Sequence, residues 1–264
     1  MRTQYNYQMP SGGNPEWVNR FMPWIEPPLC YLTFAVGIVL AIFLSISGSR
    51  YGIHILILLI ALPFHELAHA ITADQLGDDT PRQNGRITPN PFAQLNLLGS
   101  ILVLSFGIGW ASVPVNPSAL RPNPRTGGMI VAVAGPLATL LLAILTAILW
   151  HTMSPILQTL EFHAFADNML RILFLFSLIN VALFFFNLLP FAPLDGFTVL
   201  KGLLPYQAAY QLEKIQPYSM ILFIILFLVS MFTSIDLVGW LIFGPAKTVT
   251  CLMFGSNTCL MFGL

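Results

Sequence analysis

Residues 65–69 read His-Glu-Leu-Ala-His, inside an apolar run long enough to cross a bilayer. On a helix, His65 and His69 are four apart and share one face, so their two imidazoles can bind one zinc ion. Glu66 lies about 100° around such a helix from His65 and can reach a water held by that ion. An ionisable group in a membrane helix costs roughly 2.5–3.5 kcal/mol on insertion scales and marks function. The pattern therefore reads as a metal site, in preference to a polar network that merely ties helices together.

A catalytic zinc has three protein ligands and one position open to water. His65 and His69 supply two, and the third must come from elsewhere in the chain. Asp195 is the choice: it follows two prolines, Pro190 and Pro193, that break an apolar helix at the same membrane depth as the histidines. Asp74 and Asp78 are rivals. Asp74 is five residues past His69, which turns it about 140° from that histidine. Asp78 follows Gly77 and reads as a turn residue. One zinc ion so held would acidify water and polarise a carbonyl, with Glu66 as general base and no covalent intermediate. Asn187, at the same depth, could hold a substrate strand or orient Asp195.

These residues need a membrane scaffold, and the composition provides one. Of 264 residues, 56% are hydrophobic and 8% charged, against about 25% charged in soluble domains. The chain reads as an all-α polytopic membrane protein with five or six spans. A net charge of zero gives no argument for a nucleic-acid partner. Residues 1–28 have no apolar core, so they read as a cytoplasmic N-terminal segment and not a signal peptide. Spans are expected at about 29–49, 52–75, 126–150, 166–189 and 217–234.

The run 97–113 differs from these. Gly99, Ser100, Ser105, Gly107 and Gly109 interrupt it, which suits a re-entrant hairpin or short strands near the site. Gly135-Pro136, in the middle of the third span, is either a simple kink or a bend shaped around the site. Cys251 and Cys259 each open a Cys-Leu-Met-Phe-Gly copy and are expected to be free thiols in an apolar tail, residues 246–264. His54 reads as a polar residue at the outer interface, and His151 and His163 as solvated outer-loop residues.

Orientation follows from the basic residues. With the N-terminus in the cytoplasm, Arg2, Arg20, Arg82, Arg86, Arg121, Arg125, Lys201 and Lys214 lie inside, and Arg50, Arg171 and Lys247 outside. The active site then faces the cytoplasmic side. Counting 97–113 as a full span spoils the alternation, which favours re-entry.

Taken together, these residues resemble the site-2 protease family of intramembrane zinc metalloproteases. His65 to His69 matches its His-Glu-x-x-His motif. Asn187 to Gly196 resembles its Asn-x-x-Pro-x-x-x-Leu-Asp-Gly motif, which carries the third ligand. Gly135-Pro136 resembles its central Gly-Pro-x-x-Asn motif, with Thr139 in place of the asparagine. Leu76-Gly77-Asp78, the segment from Gly85 to Pro91 and that from Gly109 to Asn116 resemble the compact bacterial and archaeal branch, although Ser112 stands where a lysine often occurs.

The resemblance implies a metalloprotease domain over 29–245 in a prokaryotic cell membrane, without PDZ or CBS domains. It implies zinc on His65, His69 and Asp195, Glu66 as the base, and Asn187 and Thr139 toward the substrate. The expected substrate is a transmembrane protein within the lipid bilayer, cut in regulated intramembrane proteolysis. A metal transporter and a non-catalytic pseudoprotease that binds membrane helices are the alternatives.

Overall fold

The computed structural model describes residues 29–88, 90–106, 112–159, 161–233 and 239–263. The N-terminal segment 1–28 and the glycine-rich stretch 107–111 lie outside them. Helix α1 (Leu29–Ile46) turns through Gly48 into α2 (Arg50–Gln75). Within α2, Ile57–Ala61 widens to a π-helical turn just before Pro63. A proline ring clashes with the carbonyl four residues back, and the wider turn makes room for it. The widening falls immediately ahead of His65 and Glu66.

Helix α2 ends at Gly77, whose φ of +102° is left-handed. The Asp78 amide donates back to the Ala73 carbonyl at 3.0 Å. A one-turn helix, Thr80–Gln83, follows, then α3 (Leu97–Phe106). At ten residues α3 is about 15 Å long, half the hydrocarbon thickness. The segment expected to hold a re-entrant hairpin or short strands is thus helical over 97–106 and without regular structure over 112–116, with Asn116 extended. The described residues contain no β-strand. The run Leu97–Leu104 is continuously apolar apart from Gly99 and Ser100, and Ser100 bonds its hydroxyl to the Asn96 carbonyl, so it fits a helix turn.

Helices α4 (Pro124–Leu157) and α5 (His163–Asn187) form the central antiparallel pair. Asn123 caps α4 through the Thr126 amide at 2.9 Å. The pair packs closely at small residues, and the Ser177 hydroxyl donates to the Ala143 carbonyl at 3.0 Å. On one side Ala41, Ile57, Val103 and Ile172 join α1, α2 and α3 to α5; on the other, Ala143, Val181 and Ala246 join α4 and α5 to the C-terminal helix.

Beyond α5, the chain breaks at Pro190 and Pro193 and resumes as α6 (Asp195–Leu203), α7 (Tyr206–Lys214) and α8 (Gln216–Phe232). Next come α9 (Gly244–Phe254) and α10 (Ser256–Met261). Among the described residues, three helices are long and apolar enough to cross a membrane: α2, α4 and α5. The number becomes four if α7 and α8, bent by 59°, form one span. Helix α1 and the run Gly239–Phe254 are shorter apolar helices, so the described residues give three or four helices of membrane length against the five or six spans expected.

Two expectations for the tail are corrected. Cys251 and Cys259 are joined in a disulfide between α9 and α10 rather than free. The turn at Gly255 folds α10 back on α9 and brings the two Cα atoms to 5.7 Å. His151 lies within α4 rather than in a loop, and its Nε2 donates to the Met253 carbonyl at 2.9 Å. Phe262 stacks on Phe174 and Phe254 meets it edge-on, docking the tail on the ends of α4 and α5 that point away from His65.

Candidate metal centre

Helix α2 presents His65, Glu66 and His69 on consecutive turns, all at least nine-tenths buried. Asp195, the first residue of α6, meets them. Its Oδ2 is 3.1 Å from His65 Nε2 and 3.3 Å from His69 Nε2, and the two ring nitrogens are 3.0 Å apart. Ligand atoms bound at zinc–nitrogen and zinc–oxygen distances in a tetrahedron stand about 3.3 Å from one another. These three atoms therefore already form one face of such a tetrahedron.

The donor set fits a cation on a second ground. Asp195 Oδ2 is buried and within ionic reach of both rings, yet it receives no aligned hydrogen bond, and Glu66 Oε2 is likewise buried without a partner. Atoms aimed at a common point, rather than at each other, leave that signature. His69 Nδ1 donates to the Val131 carbonyl at 2.7 Å, which fixes the tautomer that leaves Nε2 as a lone-pair donor. Pro136, five residues along α4, has no N–H for the neighbouring Ala132 carbonyl. The Gly135-Pro136 pair thus lies against the site.

Burial would raise the Asp195 carboxyl, but the adjoining His69 and His65 hold it well below the usual carboxylate range. At Arg86, half-buried on the following loop, burial lowers the guanidinium and the Glu66 carboxylate raises it. Arg86 also donates to the Ala93 carbonyl at 2.7 Å, and Gln94 donates to the Arg86 carbonyl, so the loop is fixed on this cation.

The centre opens into a cavity of about 290 Å³ that includes Asn187, Ser112, Val113 and Val115 in its walls. Asn187 Nδ2 donates to the Leu183 carbonyl at 3.0 Å, holding the amide at the cavity edge. Thr139 does not line the cavity: it is fully buried one turn further along α4, and its hydroxyl donates to the Pro136 carbonyl at 2.8 Å. The rival carboxylates are engaged elsewhere. Asp74 pairs with Arg82 at 2.8 and 2.5 Å. Asp78 accepts the Thr80 amide at 3.0 Å and the Asn116 amide at 2.7 Å.

Several neighbours have no sequence signature of their own. The Val131 carbonyl is one, and only the Gly-Pro pair four and five residues later points to it. The link from Asp78 to Asn116 joins residues 38 apart in sequence, which spacing alone does not reveal.

Residues 150–230 match the family model described as Peptidase family M50. YwhC of Bacillus subtilis (strain 168), which carries a zinc-metalloprotease name, is 36% identical over 177 residues, covering 66% of this chain and 78% of that protein. The zinc metalloprotease MJ0392 of Methanocaldococcus jannaschii is 25% identical over 182 residues, covering 68% of this chain and 43% of that protein. Rip2 of Mycolicibacterium smegmatis, also zinc-metalloprotease by name, is 30% identical over 164 residues, covering 58% of this chain and 59% of that protein. No solved structure matches the chain. With long apolar helices around a buried His-His-Asp cluster and a relative of this identity and coverage, the chain belongs to peptidase family M50, the site-2 protease family, as a multi-pass membrane zinc metalloprotease.

Proposed function

We propose that this chain is an intramembrane endopeptidase that hydrolyses peptide bonds in or near transmembrane segments of other membrane proteins, in regulated intramembrane proteolysis. The observation that carries this reading is the convergence of His65, His69 and Asp195 beside Glu66, at the wall of a cavity among membrane-length helices. His65, His69 and Asp195 hold one zinc ion. When bound, zinc supplies a Lewis acid that polarises the scissile carbonyl and acidifies water. Glu66 accepts the proton of the attacking water as its oxygen bonds to the carbonyl carbon. The same carboxyl then gives that proton to the amine nitrogen as the carbon–nitrogen bond breaks. Asn187 offers its amide to the substrate backbone at the cavity edge.

A helical substrate hides its carbonyls in its own hydrogen bonds, so it must unwind locally before attack. The non-helical segment 112–116 supplies a partner for the unwound strand. Pro114 lacks a donor and the Asn116 amide is bonded to Asp78, so neither offers an amide to a substrate. Val113 and Val115 line the cavity, and among the described residues their backbone amides have no partner.

The catalytic domain spans 29–245, with the active site toward the cytoplasm. Two independent features support that orientation. Basic residues divide eight to three in its favour. The Cys251–Cys259 bridge lies at the other end of α4 and α5, and bridges persist on the oxidising side of a membrane. The relatives' bacterial and archaeal sources support a prokaryotic cell membrane.

Purified protein with zinc, incubated with single-span substrates, tests the reading against Glu66→Gln. The variant should retain metal and fold and lose roughly 10²–10⁴-fold in cleavage rate, because an amide does not accept the proton. Cleavage at the wild-type rate overturns the assignment of Glu66. Zinc flux into vesicles that survives the substitution favours a transporter.

A further inference from the structure

Asp195 reaches the histidines from a different stretch of chain than they occupy. It opens α6, whose first turn packs through Gly196 on the Leu188 and Leu189 carbonyls and whose far end needs an anchor of its own. With the near end held there, whatever fixes the far end of α6 sets the direction of the helix and so helps set where Asp195 stands. At that far end, the Leu204 amide closes on the Leu200 carbonyl. The next carbonyl, Lys201, would take the amide of residue 205, which is a proline and has none. Arg125 supplies the missing donors. Its Nε donates to the Lys201 carbonyl at 3.0 Å and its Nη2 to the Gly202 carbonyl at 3.1 Å.

Helix α4 gains nothing locally from this residue. A cation in the first turn of a helix opposes the macrodipole, whereas at the carbonyl end of α6 it complements the dipole. One turn further along α4, Met129 packs on Gly202 so closely that a Cβ there would lie 2.5 Å from the Met129 Cβ. Helix α4 also holds His69 through the Val131 carbonyl. A single helix thus sets both the second histidine and the aspartate.

We propose that Arg125 is a positioning residue for the metal centre: by clamping the carbonyl end of α6 to α4, it fixes where Asp195 stands relative to His65 and His69. The proposal rests on the assignment of these three residues as the zinc ligands. Arg125 acts from about 10 Å along the α6 axis and touches neither metal nor substrate.

The test measures zinc affinity by chelator competition on the full-length protein, for wild type, Arg125→Ala and Arg125→Lys, each with and without Asp195→Ala. Visible spectra of the cobalt-substituted proteins provide a second measurement. Arg125→Ala should weaken zinc about tenfold, in the range usual for groups that orient ligands. It should also alter the cobalt bands. Arg125→Lys, with a single nitrogen in place of the guanidinium fork that spans two carbonyls, should fall between. In the Asp195→Ala background, Arg125→Ala should cause no further loss. An equal loss in both backgrounds means that Arg125 only stabilises the fold and overturns the proposal. Wild-type affinity and cobalt bands in Arg125→Ala overturn it as well. If Asp195→Ala alone leaves zinc affinity unchanged, it is the ligand assignment that fails, and this inference falls with it.

Discussion

Gly135 faces His69 across the α4–α2 contact with no room for a side chain: a Cβ at Gly135 would stand 2.3 Å from His69 Nε2, and 2.6 Å from His65 Nε2. The backbone of α4 thus forms one wall of the candidate metal centre, and the two imidazole nitrogens leave room there only for glycine. Backbone packs on imidazole here with less space than one methyl group takes up.

Gly135→Ala should therefore displace one or both rings. The expected result is a zinc affinity lower by at least about tenfold, with helical content retained. Metal analysis after dialysis against a weak chelator, paired with circular dichroism, reads both. Full metal retention would mean that α4 can move away from α2 without disturbing the ligands.

Removal of a ligand gives a second expectation. His65→Ala leaves His69 and Asp195 as two ligands where a catalytic zinc needs three. One zinc per chain in wild type should drop to a small fraction, and excess zinc should not restore cleavage. A chelator should inactivate wild type reversibly. Full occupancy in His65→Ala would place the metal elsewhere.

Much of this centre is legible in the sequence because its parts are local. His65, Glu66 and His69 fall within five residues, and helical periodicity fixes their common face. Asp195 stands out because a carboxylate beside two prolines in an apolar run is too costly to keep there unless it serves a metal, a proton path or a buried partner. The tertiary links are not legible. Nothing in Arg125 distinguishes a clamp on Lys201, 76 residues away, from a solvated loop charge. The segment 97–106 reads toward strands because glycine and serine weaken helices. Packing of Val103 against α2 and α5 overrides that local preference. The two thiols read as free because spacing says nothing of the Gly255 turn that folds one onto the other.

The pairing edge makes a third expectation. Val115→Pro removes one donor from the open edge, and zinc content should not change. Cleavage of a helical single-span substrate should fall several-fold more than that of a short extended peptide, which needs no help to stay unwound. Equal loss on both substrates would mean that the substitution reaches the metal centre.

Asp78 supports the same edge from behind. Its carboxylate is fully buried and accepts two backbone amides, one of them Asn116. Asp78→Ala strands both donors and should cost about 1–3 kcal/mol of stability. Below the temperature of unfolding, KM for a helical substrate should rise more than kcat falls. A loss confined to kcat would argue that the 112–116 segment does not bind substrate.

The last expectation concerns sidedness. Cysteines placed at Arg82 and Arg121, in the loops at the metal end of α2 and α4, should react with an impermeant thiol reagent only from the cytoplasmic face. Cys251 and Cys259 lie at the opposite end of the α4–α5 pair and should resist that reagent until an impermeant reductant is added outside. If α4 spans the membrane, the packing of the tail on His151 and Phe174 puts these two groups on opposite faces. Both observations supporting the orientation, the basic residues and the bridge, then stand or fall in one assay. Labelling of the Arg82 and Arg121 positions from outside would invert the protein and move the active site away from the cytoplasm. Reaction of Cys251 and Cys259 from outside without reductant would leave the orientation standing on the basic residues alone.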